Sequence, residues 1–225
     1  MKILIIIPAL NEARMIGTVV TDLVRHGYPR ILVVDDGSTD KTGQIAKRCG
    51  ARVLTHIVNR GLGAGLGTGL EYARISDCDV AVTFDADGQH RAEDIINLIK
   101  PILKNRADVV VGTRANYFKE IPLLRRAVNV ISNVATSIIY GVMTSDATSG
   151  LRALNRKAIE KICLKTDRME VSNEFFREIR LNKLRYAEVD IKPIYTEYSL
   201  KSSKQGNIIW SSLILGTRMV FRMFR

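Results

Sequence analysis

Asp85 and Asp87 are two carboxylates separated by one small residue, Ala86, at the end of the apolar run Val80-Ala81-Val82-Thr83-Phe84. A short apolar run bounded by acids reads as a buried strand. At the mouth of an α/β sheet, such a pair suits a hard divalent cation and, beside it, a phosphate-bearing ligand. Asp-x-Asp is also a common chance pattern at a strand end. The pair therefore takes its meaning from the elements that place it.

Those elements alternate. Ile3–Ile7 is a β-branched run ending at Pro8, and a helix with Ile16, Val19, Val20 and Leu23 on its apolar face follows as far as Gly27. Ile31–Val34 is a second strand, delivering Asp35-Asp36-Gly37-Ser38-Thr39-Asp40. Asp40 is a candidate N-cap for a helix reaching Cys49-Gly50. Arg52–Thr55 and Val80–Phe84 complete the strands of the first half. Strand–helix–strand alternation predicts a mainly parallel sheet with helices on both faces, and such sheets bind ligands at the carboxyl ends of their strands. Pro8–Glu12, Asp35–Asp40 and Asp85–Gln89 all fall on that edge. The glycines of Asn59-Arg60-Gly61-Leu62-Gly63-Ala64-Gly65-Leu66-Gly67-Thr68-Gly69 match neither a P-loop nor G-x-G-x-x-G. Each costs a helix about 1 kcal/mol relative to alanine, so tight helix–sheet packing is the expected reason for them, ahead of a ligand contact near 59–61.

In the second half, helices are expected over 94–104, over 121–142 with Arg125 and Arg126, and over 171–183. Strands are expected over 108–112, after the turn 146–152, and over 187–191. Lys201 and Lys204 lie in a polar loop. No linker separates two domains, so residues 1–207 are expected to form one domain. Residues 208–225 read as an amphipathic helix, with Arg218, Arg222 and Arg225 along one face beside Trp210, Phe221 and Phe224. That pattern suits the surface of an anionic membrane; a helix packed on the domain, or a chain cut before a spanning segment, are the alternatives.

The 225 residues are 46% hydrophobic and 25% charged, which excludes global disorder, while a net charge of +11 calls for an anionic partner. No nucleic-acid-binding signature accompanies the charge, so no nucleic acid is expected; a membrane surface or phosphorylated small molecules are. No run approaches the ~18 apolar residues of a spanning helix, and the N-terminal apolar run is too short for a secretion signal. The expected location is cytoplasmic, peripheral on the inner face of the membrane. Cys49, Cys78 and Cys163 are odd in number and unpaired by spacing, and are expected to be buried thiols in a reducing compartment.

Ile7-Pro8-Ala9-Leu10-Asn11-Glu12, Val33-Val34-Asp35-Asp36-Gly37-Ser38-Thr39-Asp40, Asn59-Arg60-Gly61, Asp85-Ala86-Asp87-Gly88-Gln89-His90, Val111-Gly112-Thr113-Arg114 and the segment 146–152 occur in this order. Together they resemble the inverting glycosyltransferases of family 2, and within it the dolichyl- or polyprenyl-phosphate mannose and glucose synthases. The resemblance spans about residues 3–205. It implies a GT-A type, Rossmann-like α/β domain that moves a hexose from GDP-mannose or UDP-glucose to dolichyl or polyprenyl phosphate. It further implies that Asp85 and Asp87 hold Mg²⁺ or Mn²⁺ against the departing diphosphate, assisted by Gln89, with Ala86 keeping the backbone close to the nucleotide. Pro8, Ala9 and Glu12 would shape the ribose and base pocket, and Asp36 would accept an N–H from the base. Glu12 as a first-turn helix acid and Asp36 as a turn residue are the structural alternatives. Leu62 stands where the family often has a basic residue, and Leu151 where it often has an aromatic one.

The acceptor decides what else the site needs. A lipid monophosphate is already anionic near neutral pH and needs cations rather than a base. Arg114, Arg126 or its neighbour Arg125, and Lys201 or Lys204 are the candidates, through charge-assisted bonds to phosphate. A hydroxyl acceptor would instead require a carboxylate base, for which Asp146, Glu170 and Glu174 are the candidates. A non-catalytic, membrane-associated nucleotide-binding module is the third reading.

Overall fold

A computed structural model describes residues 1–120, 130, 133–134 and 136–194. The expected residues 201–225, with Lys201, Lys204 and the C-terminal amphipathic stretch, lie outside the described residues, as do Arg125 and Arg126. The elements run β1 (Ile3–Ala9), α1 (Ile16–Arg25), β2 (Ile31–Asp35), α2 (Thr42–Arg48), β3 (Arg52–Thr55), α3 (Leu62–Ile75), β4 (Val80–Thr83), α4 (Asp94–Leu103) and β5 (Val109–Thr113). A 3₁₀ turn follows at Ala115–Glu120, then β6 (Arg152–Asn155), α5 (Arg156–Lys161), α6 (Val171–Leu181) and β7 (Tyr186–Asp190). Residues 136–140 are also helical.

Seven strands form one sheet in the order β3-β2-β1-β4-β6-β5-β7. All neighbours are parallel except β6, which runs antiparallel to both β4 and β5. The sheet is sandwiched, and the period of two along β1 shows how. Ile5 and Ile7 pack with Val19, Val20 and Leu23 of α1 and with Ile95, Leu98 and Ile99 of α4. Leu4 and Ile6 point the other way, into a core with Leu70 of α3, Ile159 of α5 and Phe175 and Phe176 of α6. Strands buried on both faces are continuously apolar, as β1, β2 and β4 are.

Three of the four glycines of α3 are explained by packing. A Cβ on Gly69 would collide with Ile6 of β1, and one on Gly63 with the carbonyl of Thr166. Gly65 faces Pro8, where a Cβ would sit 3.1 Å from the ring. Alanine would raise helix propensity at each position but, at Gly65 and Gly69, push α3 off the strand that carries the site edge. Asp40 is not the N-cap expected of it: Lys41 holds that position, and Asp40 Oδ1 accepts from the backbone N of Thr42, 2.9 Å away, at the start of the helix. The thiols depart from expectation. Only Cys78 is buried; Cys49 is partly covered and Cys163 exposed.

The β5–β7 edge is pinned by Asp108, a fully buried carboxylate. It accepts from Arg185 Nη2 at 2.8 Å, from the Arg185 backbone N at 2.9 Å, from Asn155 Nδ2 at 3.0 Å and from Lys157 Nζ at 3.1 Å. The hydrogen bond from the Arg185 guanidinium leads the causes that hold its carboxyl far below the usual range, against the opposing effect of burial. A depressed folded pKa stabilises above the unfolded value, near 4, and that stabilisation is lost as pH falls below it. Asp108→Asn is expected to cost about 2 kcal/mol at pH 7, the loss of hydrogen bonds to a charged group. The gap between the two proteins should be narrower at pH 3. Urea denaturation at both pH values checks this, and a gap that widens in acid would contradict it.

Candidate active site

The site assembles where β1, β2 and β4 end together, because their parallel register brings Ala9 opposite Asp35 and Ile6 opposite Thr83. Three loops meet there, and those after β1 and β2 are stitched by hydrogen bonds. The Asp36 backbone N donates to Ala9 O at 2.8 Å, Asn11 N donates to Ser38 Oγ at 2.9 Å, and Glu12 N to Thr42 Oγ1 at 2.8 Å. Pro8, Ala9, Glu12, Asp36 and the Asp85–Gln89 loop therefore share one sheet edge, as the alternation predicted. Ala9 and Ala86 are buried, small residues that leave the edge open to a flat ligand.

Asp36 does more than line a pocket. Its carboxylate accepts from His56 Nδ1 at 2.6 Å, from Arg60 N at 3.1 Å and from Gly61 N at 2.6 Å. It thereby ties the loop after β3 to the end of β2. A carboxylate offers about four acceptor positions, so one remains for an incoming N–H. The turn role is the one these bonds show.

Asp85 and Asp87 behave differently although only Ala86 separates them. Burial pushes Asp85 up, but the charge and hydrogen bond of His90, with the charges of Arg114 and Arg152, outweigh it and hold the carboxyl below its ordinary value. Asp87 is raised, first by burial and then by the negative charge of Asp85. Its oxygens accept from Gln89 N at 3.0 Å and Gln89 Nε2 at 2.6 Å, so Gln89 holds Asp87 and keeps its own amide oxygen nearby. Two like charges are forced together at an open edge, which is the electrostatic situation a divalent cation relieves. Among the described residues no three His, Cys, Asp or Glu side chains converge as a metal cage.

Arg114 follows β5 and is committed to Asp146. Its Nε donates to Asp146 Oδ2 at 2.7 Å, its Nη2 to Oδ1 at 2.9 Å, and its backbone N to Oδ2 at 3.2 Å. Asp146 is fully buried. Arg114 thus stands at the site as half of a bidentate pair, with much of its charge already matched. The same pairing takes Asp146 away from the task of a base. Glu174 is taken away as well: it accepts from the backbone N of Lys165 at 3.0 Å and of Thr166 at 2.9 Å, holding the loop that packs on Gly63. Glu170, the third acid considered for a base, has a partner as well.

Two residues enter the site that residue type and spacing did not single out. His90 is buried, and its Nε2 lies 2.8 Å from Asp85 Oδ2. Arg152 is a fully buried arginine, paired in register with Thr83 on one side and Val111 on the other. Its guanidinium lies over the Phe175 ring, 4.6 Å from the centroid. Burial lowers it to about 10, against the opposing charges of Asp85, Tyr186 and Asp146. Leu151 is fully buried, so the departure from the family's aromatic at that position is one of core packing. The sequence signal for Arg152 was only its place where the turn 146–152 enters a short strand; for His90 it was only its nearness to Asp85.

Comparison with known proteins places this geometry. Residues 4–163 match the model of glycosyl transferase family 2. The chain is 35% identical to a UDP-N-acetylglucosamine–dolichyl-phosphate N-acetylglucosaminyltransferase of Methanococcus voltae, over 98% of this chain and 94% of that one. It is 31% identical to an undecaprenyl-phosphate mannosyltransferase of Micrococcus luteus, over 97% and 93%. Glucosyl-3-phosphoglycerate synthase of Mycobacterium tuberculosis, solved with Mn²⁺, UDP and its product, shares the fold with a TM-score of 0.66 at 20% identity, over 90% of this chain and 75% of that one. The match to the family covers most of the chain, and the seven-stranded sheet is of the kind the resemblance implied. The chain belongs to glycosyl transferase family 2, an enzyme of the sugar-transferring kind with a GT-A-like α/β domain.

Proposed function

We propose that this enzyme moves a sugar from a nucleotide-diphosphate donor to a polyprenyl or dolichyl phosphate at a membrane surface, with inversion at the sugar carbon. The observation that carries the acceptor assignment is the commitment of Asp146 and Glu174 to other bonds. A hydroxyl acceptor must lose its proton to a base, and two of the three acids considered for it are engaged elsewhere. A phosphate monoester, with its second pKa near 6, is nucleophilic at neutral pH without one. The relatives that align over nearly the whole chain carry lipid-phosphate acceptors in their names, which supports the same class. Their differing donor sugars leave N-acetylglucosamine beside mannose and glucose as donors to be tested.

Asp85, Asp87 and Gln89 would hold Mg²⁺ or Mn²⁺, which supplies Lewis-acid stabilisation of the leaving diphosphate. The chain's own residues do the rest. Pro8, Ala9 and Glu12 shape the donor pocket, and Asp36 presents its remaining acceptor position to the base. The Arg114–Asp146 pair fixes the floor next to Asp85. Arg126, Lys201 and Lys204 are the cations proposed to draw in the acceptor phosphate, and the overall charge of +11 favours an anionic membrane.

The test is direct. Purified protein with Mn²⁺ or Mg²⁺ is given labelled UDP-glucose, UDP-N-acetylglucosamine or GDP-mannose, with polyprenyl phosphate in detergent or with water-soluble glycans. Label passing into the organic phase from one donor is the expected result. Label in a soluble glycan, with none in lipid from any donor, would overturn the acceptor assignment.

A further inference from the structure

The Asp85 carboxylate is gripped from two sides. On one side His90 Nε2 lies 2.8 Å from Oδ2. An ionised carboxylate has no hydrogen to give, so Nε2 carries it and His90 is the donor. On the other side stands Gly150, where a Cβ would overlap both carboxylate oxygens. Neither jaw is loose. The His90 side chain is 2% exposed, and its ring meets the Phe84 ring edge-on, centroids 5.5 Å apart at 70°. Gly150 is fixed by its carbonyl, which accepts from Thr83 Oγ1 at 2.6 Å. Thr83 ends β4, the strand that delivers Asp85, and its register partner is Arg152, two residues after Gly150.

His90 is costly to keep in this position. Among the described residues its Nδ1 is buried with no hydrogen-bond partner, and an unpaired buried polar atom is destabilising. A ring serving only to fill space beside Phe84 would be better as another hydrocarbon. The cost is offset if the other nitrogen has work to do.

We infer that His90 is a positioning residue, which with Gly150 sets the rotamer of Asp85 before the cation and the diphosphate arrive. The inference rests on the reading of Asp85 as a cation ligand. An aspartate at an open edge has several side-chain orientations, and ordering it on binding would be charged against affinity. The clamp fixes that choice in the folded chain. One oxygen accepts from His90, and the small size of residue 150 leaves the carboxylate room to lie in this orientation. Partners that orient metal ligands typically change affinity or activity 10–100-fold when removed.

The readout is the strengthening of nucleotide binding by Mn²⁺, measured as the dissociation constants of UDP and of GDP with and without the metal. In His90→Phe, which fills the volume but donates nothing, the Mn²⁺-dependent strengthening is expected to fall at least about tenfold, with metal-free binding changed less than about twofold. His90→Gln, whose amide N–H can reach the same oxygen, should recover most of it. Equal loss in both variants, or full retention in His90→Phe, would overturn the inference. If His90→Phe does not melt as a folded protein, Gly150→Ala tests the other jaw: it should displace the carboxylate and weaken the Mn²⁺ effect with His90 intact, and an unchanged Mn²⁺ effect would overturn the inference. A wild-type protein whose nucleotide binding ignores Mn²⁺ would bring down the cation reading itself, which is a different outcome from either variant result.

Discussion

Asp85→Asn is expected to lower sugar transfer by about 10³-fold or more while the protein still melts as a folded domain. Removing a preorganised charge from the place where charge develops in the transition state costs on that order. Asparagine keeps the size of the side chain between His90 and Gly150, and its amide oxygen can still accept from His90 Nε2. What it loses is the negative charge, which His90, Arg114 and Arg152 together favour at this position. Asp87→Asn should differ in one respect. Asp87 is raised by burial and by the charge of Asp85, so its carboxylate is held against an opposing field. Neutralising it relieves repulsion, and metal-free Asp87→Asn is expected to melt no lower than wild type although transfer falls. Initial rates with labelled donor and polyprenyl phosphate, beside thermal melts, check both. An Asp85→Asn rate within about tenfold of wild type would remove Asp85 from the centre of the reaction.

The sheet edge proposed to hold the donor was legible in the sequence because it depends on local patterns. The β-branched run before Pro8, the run before Asp35 and the run before Asp85 each declare a strand and its carboxyl end. Parallel order then places all three ends together. The glycines of α3 were legible as a packing signal for the same reason: four of them on a helix ask for a close neighbour, and Ile6 and Thr166 are it. What could not be read was pairing across distance. Arg114 and Asp146 are 32 residues apart and Asp36 and Gly61 are 25 apart; nothing in either segment names its partner. Glu174 looked like a helix acid within reach of the site, but its use as a cap for Lys165 and Thr166 follows from how 162–170 folds back. The reversal of β6 was hidden too. Its four residues carry no mark of direction, yet by running antiparallel between β4 and β5 it places Gly150 against Asp85 and buries Arg152 beneath the pair. Cys163 falls in the same class, since exposure of a thiol after a short helix depends on what the neighbouring chain covers.

The Arg114–Asp146 pair should respond asymmetrically to losing one member. Asp146 is 1% exposed, whereas the Arg114 side chain is 16% exposed. Arg114→Met leaves a buried carboxylate with only the Arg114 backbone N and Thr148 Oγ1, at 3.2 and 3.1 Å, of the contacts that now hold it. Stranding a buried charge in this way costs about 3–5 kcal/mol. Asp146→Asn instead leaves the guanidinium, which is nearer solvent and can still donate to the amide oxygen, at about 1–2 kcal/mol. The double variant should recover much of the stability lost in Arg114→Met, because no uncompensated buried charge remains. Transfer should not recover with it. Arg114 is among the charges that favour ionised Asp85, and a neutral pair restores packing without restoring that field. Urea denaturation of the two single variants and the double, with transfer rates measured on each, separates the two roles. Equal losses below about 1 kcal/mol in both single variants, the range of an exposed ion pair, would mean that the pair is only a surface contact. Recovery of transfer together with stability in the double variant would mean that its charge plays no part in the reaction.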